Sequence, residues 1–162
     1  MSLWGATDSD ESKPKNLTTA EKKEVLATSK GWVREAGSIL SGNDNTSATP
    51  EVLVAIGDLQ TSLGAADITS IDWITTTADK SAGFTLSATL RFNEAVDVVT
   101  TGGTPTLAAT NGNEGSGTGR GPHALAYASG TGTNQLIFSL TIPAANAATN
   151  EDDVLVFGAN PL

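Results

Sequence analysis

From Phe84 to Phe92 every second residue is apolar: Phe84, Leu86, Ala88, Leu90 and Phe92 alternate with Thr85, Ser87, Thr89 and Arg91. Leu136, Phe138, Leu140 and Ile142 alternate with Ile137, Ser139 and Thr141 in the same way. A repeat of two gathers one set of side chains on one face of an extended strand, whereas a helix would scatter them. The pattern predicts strands with one dry and one wet face. Shorter β-prone runs at 68–74, 95–99, 106–110, 124–128 and 154–157 are separated by turn-forming residues, among them Asn93-Glu94 and Thr101-Gly102-Gly103. Residues 66–158 thus read as about seven strands, spaced as in a β-sandwich. The chain contains no Cys, so packing alone must hold such a sandwich. Its expected core is Trp73, Phe84, Leu86, Leu90, Phe92, Leu125, Tyr127, Leu136, Phe138 and Leu140.

The N-terminal third has a different texture. Residues 1–14 are short and polar, end in Pro14, and hold one bulky apolar anchor, Trp4. They offer too little apolar surface to fold alone. They read as a tail, or as an extended arm that orders on a neighbouring subunit, since Trp is enriched at binding hot spots. Residues 15–60 read as a small β unit. Thr18-Thr19-Ala20-Glu21 has the spacing of a capping box for a short helical turn. In Val25–Val33, a helix would carry Gly31 inside at a cost of about 1 kcal/mol. A hairpin would instead put Gly31 at the left-handed position of a three-residue loop, and that reading is preferred. Residues 41–50 read as a loop and Glu51–Ile56 as a strand stopped by Gly57. The expected organisation is an arm (1–14), a hairpin and strand unit (15–60) and a β-sandwich (66–162).

Charge narrows the partners. Nine bases stand against eighteen acids, a net charge of −9. Residues 1–36 hold six of each and are neutral; residues 37–162 hold three bases (Lys80, Arg91, Arg120) against twelve acids. A nucleic-acid partner or an anionic membrane surface requires a basic face, and the sequence offers none. No apolar run reaches the roughly 20 residues that span a bilayer, and Met1–Gly5 does not begin a secretory leader. Without such a leader, the glycosylation sequons at Asn16 and Asn45 are expected to be chance matches.

The residues that could carry chemistry do not converge. His123 is the sole His and stands at a loop–strand junction; a catalytic base needs a nucleophile and an orienting carboxylate beside it. The strip Gly115–Gly121 lacks the Lys-Ser/Thr ending of a phosphate loop. Asn43-Asp44-Asn45 and Glu151-Asp152-Asp153 offer oxygen ligands for calcium, but Asn and Asp are ordinary turn residues and neither stretch has EF-hand spacing. The eighteen acids could supply a glycosidase pair, but eight aromatic residues, most needed inside, leave no sugar platform. The expectation is a protein that is not an enzyme and needs no cofactor or metal. Trp4, Trp32, Arg34 and Arg120 are the candidate partner contacts, Trp and Arg being the side chains that most often anchor interfaces. For Trp32 the competing reading is core beneath the hairpin.

Three ordered stretches carry a resemblance: Phe92-Asn93-Glu94-Ala95-Val96-Asp97-Val98, Gly103-Thr104-Pro105-Thr106-Leu107, and Tyr127-Ala128-Ser129-Gly130-Thr131-Gly132-Thr133-Asn134-Gln135-Leu136-Ile137-Phe138. Together they resemble the bacterial Ig-like repeats of large surface adhesins, which implies an Ig-like sandwich. Adhesins string many such repeats together, whereas this chain holds one, with a Gly-rich insertion before Tyr127. Ser2–Ala6, Ala27–Arg34 and Pro50–Ile56 resemble small virion structural proteins of marine tailed phages that infect cyanobacteria. That resemblance implies a decoration or cement protein on the outer capsid surface. It would grip many copies of the major capsid protein through its N-terminal region, with itself at lattice symmetry axes as a further partner. Residues 1–36 are then expected to be separable from a folded β domain. The alternative is an adhesion or glycan-binding module on a virion or cell surface.

Overall fold

The structure is a computed structural model that describes residues 13–63, 65–79, 81–111, 123–144, 154–158 and 160–162. The fold is all-β. Among the described residues the strands are β1 (Val25–Thr28), β2 (Gly31–Arg34), β3 (Glu51–Ala55), β4 (Ile68–Trp73), β5 (Phe84–Val96), β6 (Thr106–Asn111), β7 (His123–Ser129), β8 (Thr133–Ile142) and β9 (Leu155–Phe157). One short helix, α1 (Thr19–Lys22), precedes them. The chain divides into two compact units. The first holds the residues up to Ser70 with Arg91–Asp97 and Thr131–Gln135; the second holds Ile71–Leu90, Val98–Gly130 and Leu136–Leu162. β4, β5 and β8 each contribute one stretch to each unit.

In the first unit the expected capping box closes on α1. The Thr18 hydroxyl accepts the Glu21 N–H at 3.3 Å, and the Glu21 carboxylate accepts the Thr18 N–H at 2.8 Å. The expected hairpin also forms: β1 and β2 pair antiparallel, Val25 opposite Arg34 and Thr28 opposite Gly31. Its loop has two residues, Ser29 and Lys30, rather than three. Gly31 opens β2 at φ +113°, where a Cβ would lie 2.0 Å from the Val54 carbonyl oxygen. Its missing side chain thus lets β3 come against β2. β3 completes the meander, with a register shift between Trp32 and Val33. Val25, Ala27, Trp32 and Leu59 form the core, covered by Leu17, Leu53, Val54, Ile56 and Leu63. β1 also meets β5 in parallel, Ala27 opposite Glu94.

In the second unit, alternation does what the sequence asks. Leu86, Ala88 and Leu90 of β5, Leu107 and Ala109 of β6, Leu125 of β7, and Leu136, Phe138 and Ile142 of β8 are buried. β6 pairs antiparallel with β7 and with β9, and β7 with β8. Phe84, Trp73, Tyr127 and Leu140, expected in the core, are only half-buried. Trp73 stacks on Phe157 at 4.1 Å between ring centroids, and Tyr127 meets Phe138 edge-on at 6.0 Å.

The expected strand 84–92 runs on through Asn93-Glu94, which is not a turn, and ends at Val96 as β5; of the expected strand 95–99 only 95–96 are extended into it, and 97–99 lie outside any strand. The reason is the destination of the Asn93 side chain. An Asn in a turn bonds its own neighbouring backbone. Here Asn93 is 2% exposed, its Oδ1 accepts the Asp67 N–H at 2.8 Å, and its own N–H donates to the Asp67 carbonyl at 3.0 Å. With the amide engaged across the strand, the backbone stays extended. Burial along β5 also departs from strict alternation: Leu86, Ala88, Thr89 and Leu90 are buried in the second unit, and Asn93 is the buried residue of the stretch in the first.

Candidate functional site

The first unit contains a cleft of about 740 Å³. Among the described residues three lysines, Lys13, Lys15 and Lys22, line it, against one acid, Asp67, and apolar wall residues that include Leu17 and Ile68. Local structure sets each lysine. Asn16 takes a left-handed φ of +68°, a conformation Asn tolerates, and so turns the chain just after Lys15. The capping box fixes α1, and Lys22 is its last residue. The Lys13 ammonium lies 3.5 Å from the Asp67 carboxylate and 5.8 Å from the Trp32 ring centroid. Lys15 and Lys22 are exposed.

The same Asp67 oxygen that faces Lys13 also accepts from Asn93, whose Nδ2 donates to Asp67 Oδ2 at 3.3 Å. Burial, and then the neighbouring Asp67, push the Glu94 carboxyl above its ordinary value. Glu21 goes the other way: the Thr18 N–H and hydroxyl hold its carboxylate below the usual range, with Arg34 adding to the effect.

The residues singled out from sequence fare unequally. Trp4 and Arg120 lie outside the described residues, as do Gly115–Gly121 and Glu151–Asp153. Trp32 is 1% exposed; its ring belongs to the core of the first unit and also forms part of the cleft lining. Arg34 bridges Glu21 at 3.2 Å and Glu51 at 3.4 Å, with its side chain 12% exposed. Its charge is engaged inside the unit. Asn43 and Asn45 close successive Asx turns, accepting the N–H groups of Asn45 and Ser47, each at 3.0 Å. Among the described residues no group of three His, Asp or Glu side chains is placed to hold a metal ion. His123 begins β7 opposite Ala109; it is 6% exposed, and its Nε2 has no hydrogen-bond partner.

Sequence reasoning passed over Lys13, Lys15, Lys22, Asp67 and Glu35. Glu35 gathers donors from distant stretches of the first unit: Arg91 Nη1 at 2.7 Å, Gln135 Nε2 at 3.0 Å, and Asn134 Nδ2. The concentration of six of the nine bases before residue 37 was the available signal for the lysines, although six acids balance them there. Asp67 and Glu35 have no local signal, because their partners are remote in sequence. Compared with protein-family models, with characterised proteins and with solved structures, this chain finds no match.

Proposed function

We propose that the chain is a virion structural protein, a decoration or cement protein carried in many copies on the outer face of a phage capsid and bound there through its N-terminal unit. The observation that carries this reading is the segregation of charge. Three of the nine bases line one cleft of the first unit, while residues 37–162 hold the whole net −9. A gripping face and a repelling remainder suit a protein that must dock on a lattice yet keep particles apart in solution. The resemblance of Ala27–Arg34 and Pro50–Ile56 to phage virion proteins supports the same reading. The β-sheet of the second unit is compatible with an Ig-like sandwich domain. Mass spectrometry of purified particles of the encoding virus tests it: the chain is expected at a fixed ratio to the major capsid protein, and its absence overturns the reading.

An adhesion or glycan-binding module is the second reading, favoured by the stretches between Phe92 and Phe138 that resemble adhesin repeats. Binding of the displayed chain to a glycan array, lost with monomeric presentation, would favour it through multivalency.

A further inference from the structure

We infer that the cleft of the first unit is a receptor for an acidic peptide segment of a partner protein, one that offers carboxylates to Lys15 and Lys22 and an apolar side chain to the wall. The inference deepens the capsid reading and rests on it for the partner's identity. Three observations combine. An acidic chain places three of its nine bases on a single cleft, with Asp67 the one acid among its described lining residues. Asp67 is already engaged, by Lys13 at 3.5 Å and by Asn93 at 3.3 Å. Lys15 and Lys22 form no ion pair with any described residue and remain exposed, so the uncompensated charge sits on them. Beside them Ile68 leaves 47% of its surface in solvent.

The volume of about 740 Å³ falls in the range of about 300–1,000 Å³ typical of ligand clefts. It exceeds what a single inorganic anion needs, and the apolar wall would be wasted on one. A nucleic acid fits worse. Its backbone presents closely spaced phosphates that call for an extended basic track, and beyond these lysines the chain becomes strongly acidic. A few carboxylates flanking an apolar residue match both the charge and the wall. Two lysines held on fixed backbone, one by the Asn16 turn and one by α1, also lose less freedom on binding than lysines on a mobile loop.

The test is fluorescence anisotropy with the full-length chain. The probe is a short fluorescein-labelled peptide with a phenylalanine two residues before a pair of glutamates. Saturable binding is expected, weakened by about tenfold or more when the glutamates are replaced by glutamine and by a similar factor in the Lys15→Glu/Lys22→Glu variant. Both lysines are exposed, so circular dichroism should show the variant folded; the Lys15→Gln/Lys22→Gln chain should give an intermediate loss. No binding, or equal binding by parent and variants, overturns the inference. So does displacement of the probe by an oligothymidine of matched charge, which would assign the cleft to nucleic acid. Tighter binding of a peptide with the sequence of residues 1–12 would assign it to this chain's own segment and likewise overturn it. Particle binding is not part of this readout, so failure here leaves the capsid reading to its own experiment.

Discussion

Gly31 shows how one missing side chain can set an edge. Any Cβ there meets the Val54 carbonyl oxygen at 2.0 Å and the Ile56 nitrogen at 2.5 Å, and both are backbone atoms that cannot swing aside. The positive φ adds strain for any L side chain. Gly31→Ala is therefore expected to cost about 2 kcal/mol or more, read as a fall in the urea midpoint, with β3 the first strand to lose amide protection. Glu94 illustrates the opposite economy, a side chain held at a disadvantage. Its carboxyl titrates above the ordinary range because it is partly buried near Asp67. A raised carboxyl pKa means the folded chain prefers the proton more than the unfolded chain does, so stability falls as pH rises through that window. Glu94→Gln should raise the melting temperature at neutral pH, and the difference should close as the pH drops below the ordinary carboxylate range. A gain that persisted in acid would place the cause elsewhere than ionisation.

Elements form where local pattern and remote partners agree, and β5 marks where they part. Its first half was legible, because Leu86, Ala88 and Leu90 obey a period of two and are buried. Its second half was not. Asn93-Glu94 has the composition of a turn, and only Asp67, twenty-six residues earlier, turns Asn93 into a strand residue. Asn93→Ala should cost about 1–3 kcal/mol through the orphaned Asp67 N–H, and hydrogen exchange should report faster opening at residues 91–96 than at 84–90. Uniform loosening along β5 would contradict that account. The hairpin and the α1 cap were legible for the complementary reason: every contact that defines them lies within a few residues. The cleft was legible only as a clustering of bases in a neutral segment, since placing Lys13, Lys15 and Lys22 opposite Asp67 requires the fold itself.

At the scale of the molecule, the N-terminal third is not a detachable handle. β1, β2 and Trp32 supply most of the first unit's core, and Glu35 supplies the carboxylate for Arg91. Deleting residues 1–36 is expected to strip hydrogen-exchange protection from residues 51–63 and 91–97, whereas a deletion that stops before Lys13 should leave it in place. Equal protection in the two truncations would mean the unit holds together without its hairpin. Composition pointed to a boundary near residue 60; the compact unit instead recruits Arg91–Asp97 and Thr131–Gln135, a recruitment that no local signal announces.

Glu35 stands 99 and 100 positions ahead of Asn134 and Gln135. A ribosome working at about 5–20 residues per second takes roughly 5–20 s to cover that distance. For all of that time the nascent hairpin has neither its distant amides nor the late strand that supplies them, and loop closure over so long a span is slow in its own right. The vulnerable period in this protein's life is therefore its birth, and chaperone occupancy during translation should govern how much of it reaches maturity.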